Sequence, residues 1–581
     1  MKTFRSIRQS IPSLAAILAL AAILPACGGE KGDPGVAGPS GRDGQDGTAG
    51  QDGTPGTNGA PGTNGADGTP GESFVVDQSL APIDKALVGV GGKDAVMALT
   101  GLKIQSKGAR WLQGEGYEPH SPAYKTTLFT VDVTVDVAAD SLRVDWSRDI
   151  DILGLKNTLA ASEIIAGNVG VITGNESIFG APAGAMLSDR WASIRKQQWI
   201  LNPHLLLKQA AADPALILDD TGVALLDGTV HHLVVVQNDV SPITLYVNQT
   251  TGWINKLSFV ESENLHRDVD IEVLYYGWAP SASGGLKFPS DVYIARSGEI
   301  IHQESRSSVE VNPAIAAGTF DFPAGANPMY SADDAHRGEA NHQFHQSYVG
   351  AGLPFDGQQT FINPVQLATG VFHLTGGSHH SLLVEQANGL VLVEAPLDQG
   401  RSEALLSHIT TAFPSKPVTH IISTHHHDDH SSGVRTIAAA GATVVAAETS
   451  AKFWGDVLTA RSTIYPDAME TNPVKAQFMG VPEGGSLDLP DAQRPVTAYH
   501  IKTAHAVDLL IIHVPNQKVL FQSDMLNAGG PIMFFGTFQA NALDLYNGIL
   551  TNNIDAPDLT IAGGHGAGSN TFAELKTALG F

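Results

Sequence analysis

Between Ser423 and His430 the chain reads Ser-Thr-His-His-His-Asp-Asp-His, four imidazoles and two carboxylates in eight residues. Neighbouring side chains of this kind pack poorly on one another and must be solvated or bound. Read from His425 the stretch spells H-x-H-x-D-H. Neutral imidazole nitrogens beside a carboxylate oxygen are the donor set of zinc and similar divalent ions. On its own such a run also fits a solvated polar loop. Three residues downstream bear on the choice: His505, Asp524 and His565 each stand at the end of an apolar stretch that reads as a strand, over 496–501, 518–522 and 559–562.

The elements that would carry these residues alternate strand and helix, the pattern of an α/β domain. Strand candidates at 382–385 and 390–394 are separated by Gln386-Ala387-Asn388-Gly389, and Asn-Gly is a strong hairpin signal. Leu405, Leu406, Ile409 and Phe413 recur at helical spacing over 401–413. The run 418–423 reads as a buried strand, and the histidine cluster follows its C-terminal end, where α/β sheets commonly place their sites. A helix over 434–440, a strand over 443–447 and a helix capped by Ser450 and running through Leu458 complete the half.

In order, His425, His427, Asp429, His430, His505, Asp524 and His565 resemble the metal-ligand pattern of the metallo-β-lactamase superfamily, within residues 361–581. The resemblance implies an αββα sandwich, two sheets face to face with helices outside. It implies that His425, His427 and His505 hold one zinc, that Asp429, His430 and His565 hold a second, and that Asp524 bridges them. It further implies a hydrolase that uses a metal-bridging hydroxide, with Asp429 as the catalytic residue that orients it and shuttles a proton. Glu394 stands where the family usually has Asp, and His379 and His380 fall where that fold brings a loop near the metals. His380, Met533, Phe534 and Phe535 are the expected substrate contacts. Between Lys518 and Lys576 there is no Lys or Arg, so that half of the site offers no fixed cation for a phosphate, nucleic acid or carboxylate. A small neutral or apolar ester, lactone or amide is the expected substrate.

Elsewhere the chain reads as tether and scaffold. The formal net charge of −25 argues against a nucleic-acid partner. Residues 1–26 read as a signal peptide, with Lys2, Arg5 and Arg8 before an apolar run. Leu24-Pro25-Ala26-Cys27 resembles a bacterial lipobox, so Cys27, the sole cysteine, is the expected lipidation site of an outer-membrane lipoprotein. Over 27–72 glycine recurs at every third position from Gly29 to Gly71. That period has its cause at the crowded axis of a collagen triple helix, which would make the protein a homotrimer; a flexible spacer is the other reading. Residues 73–350 alternate with period two, as in Val131, Val133, Val135 and Val137 and then Leu142, Val144 and Trp146, and predict a mainly antiparallel β domain. Within it, residues 243–323 resemble the lipoprotein-carrier fold, on Thr244-Leu245-Tyr246-Val247, Trp253-Ile254-Asn255-Lys256-Leu257 and Gly285-Leu286-Lys287-Phe288-Pro289. That resemblance implies a curved sheet cupping an apolar cavity, and with it an alternative function as a lipid- or ligand-binding lipoprotein. Asp333, Asp334, His336, His342 and His345 read as a solvated linker.

Overall fold

The computed structural model describes residues 75–152, 154–176, 184–186, 188–238, 241–326, 361–534 and 536–581. The predicted signal peptide, Cys27, the glycine repeat, the 333–345 cluster and Phe535 lie outside the described residues.

Among the described residues, twelve strands of the first half form one sheet. The chain enters at its centre with Gly101–Leu112 and walks outward through Tyr124–Asp136, Ser141–Ile152 and Leu155–Ala166 to the edge strand Val169–Asn175. Two helices, Ser188–Leu201 and Pro203–Ala212, carry it to the opposite edge at Ile217–Leu226. It then returns inward until Glu299–Val311 pairs with Gly101–Leu112. Every neighbour in this sheet is antiparallel, and most of the pairs are successive strands of the chain. The predicted 131–137 and 142–146 hairpin is one of these pairs, with Val133 opposite Val144. The predicted interruption at Asn202-Pro203 is also present, since proline there cannot donate into the preceding helix.

The face of this sheet that the carrier-like reading expected to cup a ligand is packed with helix. Trp191, Ile194, Leu201 and Leu206 share one buried cluster with Val131, Val133, Leu245 and Ile271. Within that core His204 is fully buried, its ring stacked 3.9 Å from that of Phe288 and its Nε2 donating to the Lys287 carbonyl at 2.7 Å. Burial pushes its pKa down to about 3. The unfolded chain therefore binds a proton near pH 6.5 that the folded chain refuses until about pH 3. Stability from this group is complete above pH 6.5 and falls as pH drops, by on the order of 3 kcal/mol by pH 4. Urea midpoints at pH 7, 5.5 and 4 should decline accordingly, with a shallower decline in His204→Gln, which keeps a donor for Lys287 but cannot protonate.

The second half is a four-layer α/β unit. One sheet orders Asn363–Ala368, Val371–Thr375, Ser381–Glu385, Leu390–Val393, Val418–Ile422, Thr443–Ala447 and Phe478–Val481. The other orders Ser486–Leu489, Val496–His500, Leu510–Val514, Val519–Gln522, Thr560–Gly563 and Ser569–Thr571. Consecutive residues of the central strands go to opposite faces, so a continuous apolar run buries both. Val391, Val393, Ile422 and Val445 meet Ile512, Phe521 and Ala562 between the sheets. Leu390, Leu392, Ile421 and Val444 face outward onto the helices that carry Leu405, Ile437 and Trp454. The far sheet is backed by Leu545 and Ile549 of the helix Phe538–Thr551. The Asn-Gly hairpin forms as expected, with Glu385 opposite Leu390. Ser450 does not cap its helix; its hydroxyl donates to the Ala447 carbonyl instead, three residues back in the 3-10 turn that precedes the helix.

Candidate metal centre

Strand Val418–Ile422 ends against the second sheet, and its continuation is held open by its own hydroxyls. Ser423 Oγ donates to the His425 carbonyl at 2.9 Å, and Ser431 Oγ bonds the carbonyls of His426 and His427 at 3.0 and 2.7 Å. Asp428–Ser431 then closes a single helical turn. That turn brings Asp429 and His430 round beside His425 and His427. His505 lies in the connection between Val496–His500 and Leu510–Val514, Asp524 follows Val519–Gln522, and His565 follows Thr560–Gly563. All seven predicted metal-ligating residues thus meet at one end of the sandwich.

Asp524 lies at their middle. Its Oδ2 is 2.9 Å from His505 Nε2 and 3.4 Å from His425 Nε2. Its Oδ1 is 2.8 Å from His565 Nε2 and 2.9 Å from His430 Nε2. Two groups of potential ligands result, His425 with His427, His505 and Asp524, and Asp429 with His430, His565 and His379. Within each, the ligand atoms lie within 4.8 Å of one another.

The donor atoms converge without satisfying each other. Asp429 Oδ1 and His427 Nδ1 are buried and make no hydrogen bond. Buried polar atoms are normally paired, and unpaired ones cost about 1–3 kcal/mol each. Carboxylates crowd the site as well. Burial alone would lower the pKa of His430, yet Asp524, Glu394 and Asp429 together hold it well above the usual imidazole value. A site rich in lone pairs, short of positive charge and aimed inward fits divalent metal ions by its donor chemistry.

The supports behind the ligands are in place. Strand Leu390–Val393 ends at Glu394, whose φ of 61° is unusual for a non-glycine residue and turns its side chain under the histidine loop. Its Oε2 accepts from His430 Nδ1 at 3.0 Å and its Oε1 from Thr424 Oγ1 at 2.7 Å. A carboxylate on the far nitrogen of an imidazole fixes the tautomer and strengthens the donor, so glutamate does here what the family's aspartate was expected to do. His426 does not face the cluster; it lies between Asp508 Oδ1 at 2.8 Å and the Gly116 carbonyl at 3.0 Å.

A cavity of about 600 Å³ opens onto this cluster, lined on one side by His379, His427, Asp429, His505, Asp524 and His565. The expected substrate contacts fall differently. His379 reaches the cavity, its Nε2 donating to Asp429 Oδ2 at 3.1 Å, whereas His380 is buried edge-on against the His373 ring and is not part of the lining. Successive residues of an extended segment point opposite ways, and the sequence offered no register to say which. Met533 is exposed and Phe534 packs on the helix layer, so neither lines the cavity. From the segment after Asp524 it is Phe538 that lines it, with Thr537 and Asn541. No Lys or Arg is among the described lining residues.

The opposite wall comes from the first half of the chain: Leu112, Glu115, Tyr124, Ile152 and Gly154. Sequence reasoning gave these residues no role. Glu115 stands between Gly114 and Gly116 in what reads as an ordinary turn between strands, and no local signal ties it to histidines some 300 positions later.

Residues 374–565 match the family model described as the metallo-beta-lactamase superfamily. This part of the chain is a metallo-β-lactamase superfamily domain. The family model stops short of residues 73–350 and lends nothing to the lipoprotein-carrier resemblance there. Solved structures similar to the chain include a metallo-beta-lactamase from Pontibacter korlensis, 19% identical, with 38% of this chain and 97% of that one covered at a TM-score of 0.30. DIM-1 metallo-beta-lactamase exposed to ceftazidime is 16% identical, covering 39% and 97% at a TM-score of 0.29. TMB-1 is 16% identical, covering 38% and 95% at 0.28.

Proposed function

We propose that the metallo-β-lactamase domain is a binuclear metal-dependent hydrolase, with zinc as the natural pair of ions, acting on a neutral or apolar ester, lactone or amide. The observation that carries this reading is the division of labour at Asp524, one carboxylate oxygen toward each group of imidazoles. His425, His427 and His505 would hold one ion and Asp429, His430 and His565 the other, with Asp524 shared. Ions so held would supply Lewis acidity and an activated water. Asp429 would position that water as an ionised carboxylate, since His430 and His379 keep its carboxyl well below the usual range against the effect of burial. The cation-free cavity, with Leu112, Ile152 and Phe538 in its walls, would admit a substrate without fixed negative charge. At the other end of the chain, lipidation at Cys27 would hold the enzyme at the bacterial envelope.

The test is metal analysis of the purified protein joined to a panel of aryl and alkyl esters, lactones and β-lactams. About two equivalents of metal and turnover that chelation removes and Zn²⁺ restores are expected. A protein that takes up no metal, or whose turnover survives its removal, overturns the reading.

A further inference from the structure

The loop after Gly101–Leu112 leaves the large sheet and lies directly on the histidine loop. Gly114 marks the closeness of approach: a Cβ there would come within 2.5 Å of Asp428 Oδ2. The Gly116 carbonyl accepts from His427 Nε2 at 2.9 Å. An imidazole that donates from Nε2 keeps a lone pair at Nδ1 when neutral. The first half of the chain therefore chooses which nitrogen of a candidate ligand is available.

Glu115, next to that carbonyl, faces the nitrogen so prepared. Its Oε2 is 3.5 Å from His427 Nδ1, which is buried and makes no hydrogen bond. Its Oε1 is buried and likewise unpaired. Glu115, His427 and Asp429 offer ligand atoms that all lie within 4.8 Å of one another. Ligands about 2 Å from a common ion stand about 3–3.5 Å apart, so the Glu115 to His427 spacing suits a shared ion. The described cavity lining holds no Lys or Arg to pair with this mostly buried carboxyl, and leaving such a group unpaired is costly.

We propose that Glu115 is an additional ligand of the metal centre, delivered from the β-sheet half of the chain, and that bound metal thereby fastens that half to the metallo-β-lactamase domain. This rests on the metal-centre reading above. The site would be completed by two regions of the sequence that share no local signal, and loss of metal would loosen the loop 113–123 as well as the ligands.

The experiment uses the full chain. Wild type, Glu115→Gln and Glu115→Asp are stripped with a chelator and titrated with Zn²⁺ against a chromophoric competitor, and amide hydrogen exchange is followed over 113–123 with and without metal. Glu115→Gln is expected to weaken one of the two binding steps by about 10–100-fold, the size seen when a group that supports a metal is removed, and to leave the other step unchanged. Glu115→Asp, which keeps the charge on a shorter arm, should fall between. Metal should slow exchange over 113–123 in wild type and have little effect in Glu115→Gln. Wild-type affinity at both steps in Glu115→Gln, or loop exchange in wild type indifferent to metal, overturns the proposal. So does a variant whose only defect is a raised KM for cationic substrates, because that would make Glu115 a substrate contact. Should Glu115→Gln not fold, wild-type exchange and Glu115→Asp decide. A wild type that binds no metal sinks the underlying reading instead, which keeps the two failures apart.

Discussion

Asp429→Asn should lower kcat by about 10²–10⁴-fold, the range for removing a positioned general base. The substitution keeps shape and removes charge. In the native site Asp429 Oδ2 accepts from His379 Nε2 at 3.1 Å, and Oδ1 stands 3.7 Å from His430 Nε2. Burial penalises the charged carboxylate, but these imidazoles outweigh it and hold the group ionised. An ionised carboxylate can accept hydrogen bonds at both oxygens and orient a water as a base would, and an amide cannot do so at its nitrogen. Since Asp429 is also a candidate ligand, metal content has to be measured beside kcat. A fully loaded Asn variant with wild-type kcat would remove Asp429 from the chemistry. A loaded variant with a large kcat defect and little change in KM would place its effect in the transition state.

The second large effect is expected at Glu394, which touches no substrate. Glu394→Gln should weaken metal binding on the His430 side by about 10–100-fold, with the His425 side retained. Glu394 is fully buried and accepts from His430 Nδ1 and Thr424 Oγ1, with Ser523 as a further partner. A glutamine can satisfy His430 or Thr424 with its oxygen but turns an N–H toward the other or loses it. Competition titration reads the loss directly. Glu394→Asp is the sharper comparison: if reach is what matters, the shorter acid fails too, although it restores the charge. Equal metal affinity across wild type, Gln and Asp would show that the carboxylate only fills space.

The candidate ligand cluster was legible because of its chemistry and spacing. Few arrangements other than a metal site place H-x-H-x-D-H after a buried strand and follow it with His505, Asp524 and His565 at successive strand ends. The sandwich was legible for the same reason that its strands are stable: apolar runs such as 390–393 and 443–447 bury both faces, and the hairpin at Asn388-Gly389 announces itself. The cavity walls were not legible. Choosing His379 over His380 depends on the pleat of a short extended segment, and choosing Phe538 over Met533 and Phe534 depends on how a loop folds back. Glu115 depends on the docking of one half of the chain on the other, which periodicity within either half cannot encode. Asp268 shows how specific that docking is: its Oδ2 accepts from Thr463 N at 2.7 Å and from Thr463 Oγ1 at 2.6 Å, while Leu265 enters the helix-side core of the far domain.

The carbonyl of Gly116 gives this docking a particular mutational profile. A side-chain ligand can be deleted by one codon change, but a backbone oxygen survives any replacement at its own position. The hold on His426 and His427 is thus insensitive to the loss of a group and sensitive to displacement. A Cβ at residue 116 would lie 2.3 Å from Ser121 Cβ, and one at residue 114 would strike Asp428. Damage would come from bulk at the two glycines, or from any insertion or deletion that changes the length of the loop. A tolerance map of 113–123 should therefore accept most exchanges at the exposed Tyr117 and Glu118 while rejecting single-residue length changes, the reverse of what surface loops usually show.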